Sequence, residues 1–135
     1  MEKTIINPAA LVQPTGYAHG VAASGGRILF LAGQPALDAQ GSIVARGDIV
    51  AQCAQAYANL QAILQAAGGA VTDVVKLTIY VTDRAAYKAN LKAIGAAYRN
   101  VFGRHYPAMT LVEVKGLFDD DALVEVDGFA VIGEK

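Results

Sequence analysis

Two changes of hydrophobic period constrain what this chain can fold into. From Asp48 onward Val50, Cys53, Tyr57, Leu60 and Leu64 recur every three or four residues, and soon after Gly68-Gly69 the spacing falls to two, with Val75, Leu77, Ile79 and Val81 set against Lys76, Thr78 and Tyr80. The first pattern is one face of an amphipathic helix, Ile49 to about Ala67, with Asp48 placed to cap it and the glycine pair to end it. The second is a strand with one apolar side. Helical spacing returns through Tyr87, Leu91, Ile94, Tyr98 and Val101, which predicts a second helix capped by Thr82 or Asp83 and ending near Gly103. Upstream, the short apolar run Arg27 to Leu31, bounded by Gly25-Gly26 and Gly33, marks a buried strand that His19 to Ser24 can join as a hairpin. Downstream, Met109 to Val114 and Ala122 to Ile132 read as strands on either side of a solvated turn at Asp119-Asp120-Asp121. The order β-β-α-β-α-β-β predicts an α+β sandwich, two helices on one face of a mixed sheet. With no repeat and no linker-like stretch, residues 1–135 are expected to form one domain.

Composition bears on the other face of that sheet. Charged residues make up 17% of the chain, below the roughly 25% usual for soluble domains, while 54% are apolar. The last strand sets Val124, Val126, Ala130 and Ile132 against Leu123, Phe129 and Val131, so both its faces are expected to be buried. A surplus of apolar surface on so short a chain is best covered by further copies of itself. Eleven Lys and Arg against twelve Asp and Glu leave no basic field for a phosphate backbone, so nucleic acid is not expected as a partner. No apolar run approaches the roughly 18 residues of a membrane span. The first residues lack the apolar stretch and cleavage site of a secretory signal, and the lone Cys53 permits no internal disulfide; the expected compartment is the cytoplasm.

Glu125 is the first candidate for chemistry, because a carboxylate inside a strand apolar on both faces must be paired, protonated or at work. Desolvation there would raise its pKa toward the range useful for proton transfer. Asp127 shares its side of the strand, and the structural alternative is a strand-end Glu125 that reaches solvent or pairs with a Lys of a neighbouring chain. Tyr17 and His19, two apart, share a face of extended chain and can line one pocket with hydrogen-bonding groups. His105-Tyr106-Pro107 reads as a loop feature, and Cys53, on the helix's apolar stripe, as a small core residue. With two histidines and one cysteine, no spacing suits a metal. Gly16, Gly20, Gly25, Gly26 and Gly33 form no nucleotide loop, and G-x-S-x-G is absent.

The segments Gly16-Tyr17-Ala18-His19-Gly20-Val21, Phe30-Leu31-Ala32-Gly33-Gln34, Leu60 to Gly68, Asp73 to Asp83, Pro107 to Val114 and Ala122 to Val126 fall in an order and spacing that resembles the RidA/YjgF family over nearly the whole chain. The resemblance implies a chorismate-mutase-like α+β fold assembled as a homotrimer, with sites in the clefts between subunits. It also implies hydrolysis of reactive enamines and imines, such as 2-aminoacrylate and its imine tautomer, to a keto acid and ammonia, with no metal or cofactor. In the family an arginine holds the substrate carboxylate, a glutamate positions or activates water, and a tyrosine and main-chain groups complete the pocket. Tyr17 and Glu125 match the tyrosine and the glutamate, but the usual Pro-Ala-Arg is Pro107-Ala108-Met109 here. Ala32 also stands where the motif usually has Ser before Gly33-Gln34.

A thioether cannot replace the two parallel charge-assisted bonds of an arginine, a loss of a few kcal/mol or roughly two to three decades. Three readings follow. Glu125 activates water for an imine or enamine other than a small α-imino acid, with Tyr17, His19, Ala32, Gly33 and Met109 around it. Alternatively the trimer binds a small molecule without turning it over, as a binding or regulatory protein. The third is the endoribonuclease activity for which some relatives are labelled, against which the absence of a basic groove argues. Arg104 or His105 is close enough in sequence to supply the missing cation.

Overall fold

The computed structural model describes residues 2–134. The elements run β1 (Glu2–Ile6), β2 (Gly20–Ser24), β3 (Arg27–Pro35), helix α1 (Ile49–Ala66), a 3-10 turn (Val71–Asp73), β4 (Val74–Val81), α2 (Arg84–Ala89), α3 (Leu91–Phe102), β5 (Ala108–Glu113) and β6 (Val124–Ile132). Four strands form one sheet in the order β3-β6-β4-β5, with β4 and β5 parallel and the other neighbours antiparallel, so the sheet is mixed as expected. The expected hairpin does not form: β2 pairs with β1 in a separate antiparallel ribbon. Most side chains of β1 are exposed, so it carries no hydrophobic signature. It is held by ladder hydrogen bonds and by Lys3, whose ammonium meets the Asp73 carboxylate at 2.9 Å.

Local chemistry sets the helix ends. Asp48 accepts from the Ala51 amide at 3.0 Å at the start of α1. At its end the Gly68 and Gly69 amides donate back to the Gln65 and Leu64 carbonyls, with Gly68 at φ 81°, a left-handed turn that favours glycine. Asp83 caps α2 through the Ala86 amide. The second predicted helix is two, because Asn90 sits mid-segment and its side-chain amide donates to the Ala86 carbonyl at 2.8 Å, closing α2 before α3 begins.

α1 and α3 cover one face of the sheet. Val124, Val126, Ala130 and Ile132 of β6 and Leu77, Ile79 and Val81 of β4 are buried there against Cys53, Tyr57, Leu60 and Leu64 of α1 and Ile94, Tyr98 and Phe102 of α3. Gly128 is required where β4 and β6 come closest, since a Cβ there would overlap the Lys76 carbonyl. On the opposite face the single chain departs from expectation. Ile28, Phe30 and Phe129 are 63%, 72% and 44% exposed, so this side of β3 and β6 is apolar yet open. Among the described residues, no helix is long and apolar enough to cross a membrane.

Candidate functional site

Glu125 lies on the open face. It stands opposite Tyr80 of β4 and Pro35 of β3 in the ladder, and its side chain folds over Gly33 at the bulge between Leu31 and Gln34. A Cβ at position 33 would come within 2.8 Å of the Glu125 carboxyl carbon, so only glycine leaves this place to the carboxylate. Burial raises the Glu125 pKa above the ordinary carboxylate value, and the negative charges of Asp127 and Asp119 add to the effect. Asp127 in turn accepts from the Tyr80 hydroxyl at 3.2 Å. Among the described residues no Lys or Arg forms an ion pair with Glu125.

Met109 is on the other side of the sheet. It pairs in register with Leu77 on β4, whose side chain is in the core, whereas Glu125 pairs with Tyr80. Two strand spacings, roughly 10 Å, also separate β5 from β6. Met109 lines a cavity of about 340 Å³ with Ile79, Tyr57, Tyr87, Leu91 and Tyr106, and Thr15 and Gly16 close one end of it. Beyond these two residues a wider cleft of about 700 Å³ is lined by Tyr17, Arg104 and His105. Ala18 ties the Tyr17 segment to the start of β5 through a hydrogen bond from its amide to the Pro107 carbonyl. Tyr17, Met109 and Arg104 therefore gather at the β5 edge, and Ala32, Gly33 and Glu125 on the open face near β3. Within one chain these are two separate clusters.

Several polar groups are committed to structure. The His19 ring packs edge-on against Tyr17 at 5.3 Å, with its Nε2 2.7 Å from the Val12 carbonyl oxygen. His105 Nε2 is 2.7 Å from the Val74 carbonyl oxygen, which ties its ring to the start of β4, and the Tyr98 hydroxyl donates to the His105 carbonyl. Burial pushes the Cys53 thiol up to about 12, partly offset by the Tyr57 hydroxyl, so this cysteine is an inert core residue.

Sequence reasoning passed over Gln52. It is fully buried on α1, donates to the Ala45 and Asp121 carbonyls at 3.2 and 3.1 Å, and accepts from the Leu123 amide at 2.8 Å. It fixes the entry into β6 two residues before Glu125. Arg99 was passed over as well: it lines the Met109 cavity, whereas Arg104 lines the neighbouring cleft. Gln52 lies beside the stripe of Val50, Cys53 and Tyr57 and not on it, so helical spacing does not signal it; likewise only the fold brings Arg99 to the cavity.

Residues 8–132 match the family described as Endoribonuclease L-PSP. The chain belongs to the RidA/YjgF family. A RutC family protein of Pyrococcus horikoshii is 35% identical over 129 residues, 95% of this chain and 97% of the relative. The Rid family protein YyfB of Yersinia pestis, described as of unknown function, superposes with a TM-score of 0.88 at 35% identity, covering 98% of this chain and all of its own. E. coli TdcF, solved with bound serine, gives 0.65 at 30% identity over 90% of each chain. The RidA/YjgF fold is thus the fold of this chain, and the resemblance read from its segments is family membership.

Proposed function

We propose that the protein is a cytoplasmic homotrimer that hydrolyses a reactive enamine or imine, with no metal or cofactor, in clefts between its copies. The observation that carries this reading is Glu125: a half-buried carboxylate over a glycine, with its pKa raised and no cation paired to it among the described residues. A raised pKa makes a carboxylate a stronger base toward water. The placement of Met109 and Glu125 on opposite faces of the sheet supports a site shared between copies, the open face of one packing against the β5 edge of the next.

In this mechanism an enamine first tautomerises to the imine. Glu125 then takes a proton from a water whose oxygen bonds to the imine carbon, while the nitrogen gains a proton from the Tyr17 hydroxyl of a neighbouring copy. Protonated Glu125 then gives its proton to the amino nitrogen of the carbinolamine while the carbinolamine hydroxyl returns a proton to the tyrosinate; the C–N bond breaks, ammonia leaves, and the carbonyl product, the Glu125 carboxylate and the Tyr17 hydroxyl remain. His19, Ala32, Gly33 and Met109 shape the pocket. With Met109 in the arginine's place, a small α-imino acid lacks its usual grip, so the substrate is an imine of another kind.

Non-catalytic binding is the second reading. The missing arginine favours it, as does the serine bound by TdcF, a relative that holds a small metabolite. The balanced charge of the chain argues against the ribonuclease activity in the family's description.

Ammonia release from enzymatically generated imines separates these readings. The wild type should release ammonia from imines without an α-carboxylate or with a large apolar body, Glu125→Gln should lose turnover while keeping its mass, and Met109→Arg should gain small α-imino acids. Full activity in Glu125→Gln removes the assigned base; no ammonia from any imine leaves the binding reading.

A further inference from the structure

The cavity that lost one arginine has another in its wall. On α3, Leu91, Gly95 and Arg99 are spaced four apart and share one helix face, and all three line the Met109 cavity. Long helical side chains lean toward the helix N-terminus, and that of Arg99 does so over Gly95: a Cβ there would come within 3.3 Å of Arg99 Nη1. A glycine inside a helix is unfavourable relative to alanine, and here its missing side chain leaves the guanidinium room to fold back. Among the described residues Arg99 joins no ion pair. Apart from Thr15 and the two glycines, the rest of the wall is Met109, Ile79, Leu91, Ile94 and tyrosine rings, a lining suited to an apolar or aromatic body.

We propose that Arg99 is the anion-binding residue of this cavity and that its ligand is a carboxylate carried on an apolar or aromatic body. The proposal rests on the functional reading above only in placing the ligand in the Met109 cavity; it holds whether or not the ligand is turned over. In chemical terms, the cation has moved from the strand to the helix, and an anion held there lies along the cavity instead of on β5. Arg99 is on the exposed side of α3, so its replacement leaves the core intact.

The test compares phenylpyruvate with phenylacetone, which has a methyl group in place of the carboxylate, by calorimetric titration at fixed ionic strength. The wild type should hold phenylpyruvate about ten-fold or more tighter, Arg99→Gln should bring the two within about two-fold, and Arg99→Lys should restore part of the preference. A preference unchanged in Arg99→Gln, one lost in Arg104→Gln instead, or no saturable binding of phenylpyruvate would each overturn the assignment. Dissociation of the Arg99→Gln assembly, followed by mass, would also overturn it, since Arg99 would then be an interface cation. Failure of the deaminase reading is distinguishable: no imine yields ammonia, yet the Arg99-dependent preference stands.

Discussion

Glu125 occupies its place because residue 33 has no side chain, which gives two expectations at the scale of single residues. A Cβ at 33 would displace the far end of a flexible side chain, so Gly33→Ala should cost less than about 1 kcal/mol of stability and yet reduce ammonia release far more. Denaturant titration alongside turnover checks the pair. The raised pKa of Glu125 means the folded chain holds that proton more tightly than the unfolded chain, so this group's contribution to stability falls as pH rises through the carboxylate range. Glu125→Gln should therefore gain thermal stability relative to the wild type as pH rises above the ordinary carboxylate pKa of about 4.3, and a difference that stays flat or runs the other way contradicts the burial ascribed to it. Glu125 was legible in the sequence because the alternation of β6 put an acid among apolar residues. Its contact with Gly33 was not, since it depends on a bulge that joins strands about ninety residues apart.

At the scale of elements, caps and periods carried most of the information. Asp48, Asp83 and the Gly68-Gly69 turn act as their residue types suggest, whereas Asn90 divides what helical spacing alone presents as one helix, and β1 depends on backbone pairing that no side-chain pattern announces. Gln52 holds three backbone groups between α1 and the start of β6. Gln52→Leu strands those groups in the interior and should lower stability by about 2–3 kcal/mol, measured by denaturant unfolding. In α3, Gly95→Ala should stabilise the helix by about 1 kcal/mol while crowding Arg99 out of the cavity, so Tm should rise as the preference for phenylpyruvate falls. A rise in Tm with no change in preference would separate Gly95 from the cation.

At the scale of the whole molecule, the open apolar face and the separation of Met109 from Glu125 both fit the arrangement proposed above. Ile28, Phe30 and Phe129 lie on the face that carries Glu125, with Phe30 and Phe129 edge-to-face at 5.5 Å, so covering this patch with another copy brings that copy's surface to the carboxylate. The composition pointed to such a partner, but only the strand register reveals that Met109 and Glu125 of one chain cannot meet. On the proposed trimer, Phe30→Asp should convert the assembly of three 14.0 kDa chains to monomers in light scattering and abolish turnover with it. The most direct measurement uses mixed assemblies. Glu125→Gln and a variant blocked in the other half, Met109→Trp, are each expected to be inactive, and co-expressing them in equal amounts should restore about a quarter of the wild-type sites, because a sound Glu125 then meets a sound Met109 cavity across some of the interfaces. Mixed assemblies as inactive as either variant alone would place both halves in one chain and contradict the shared site.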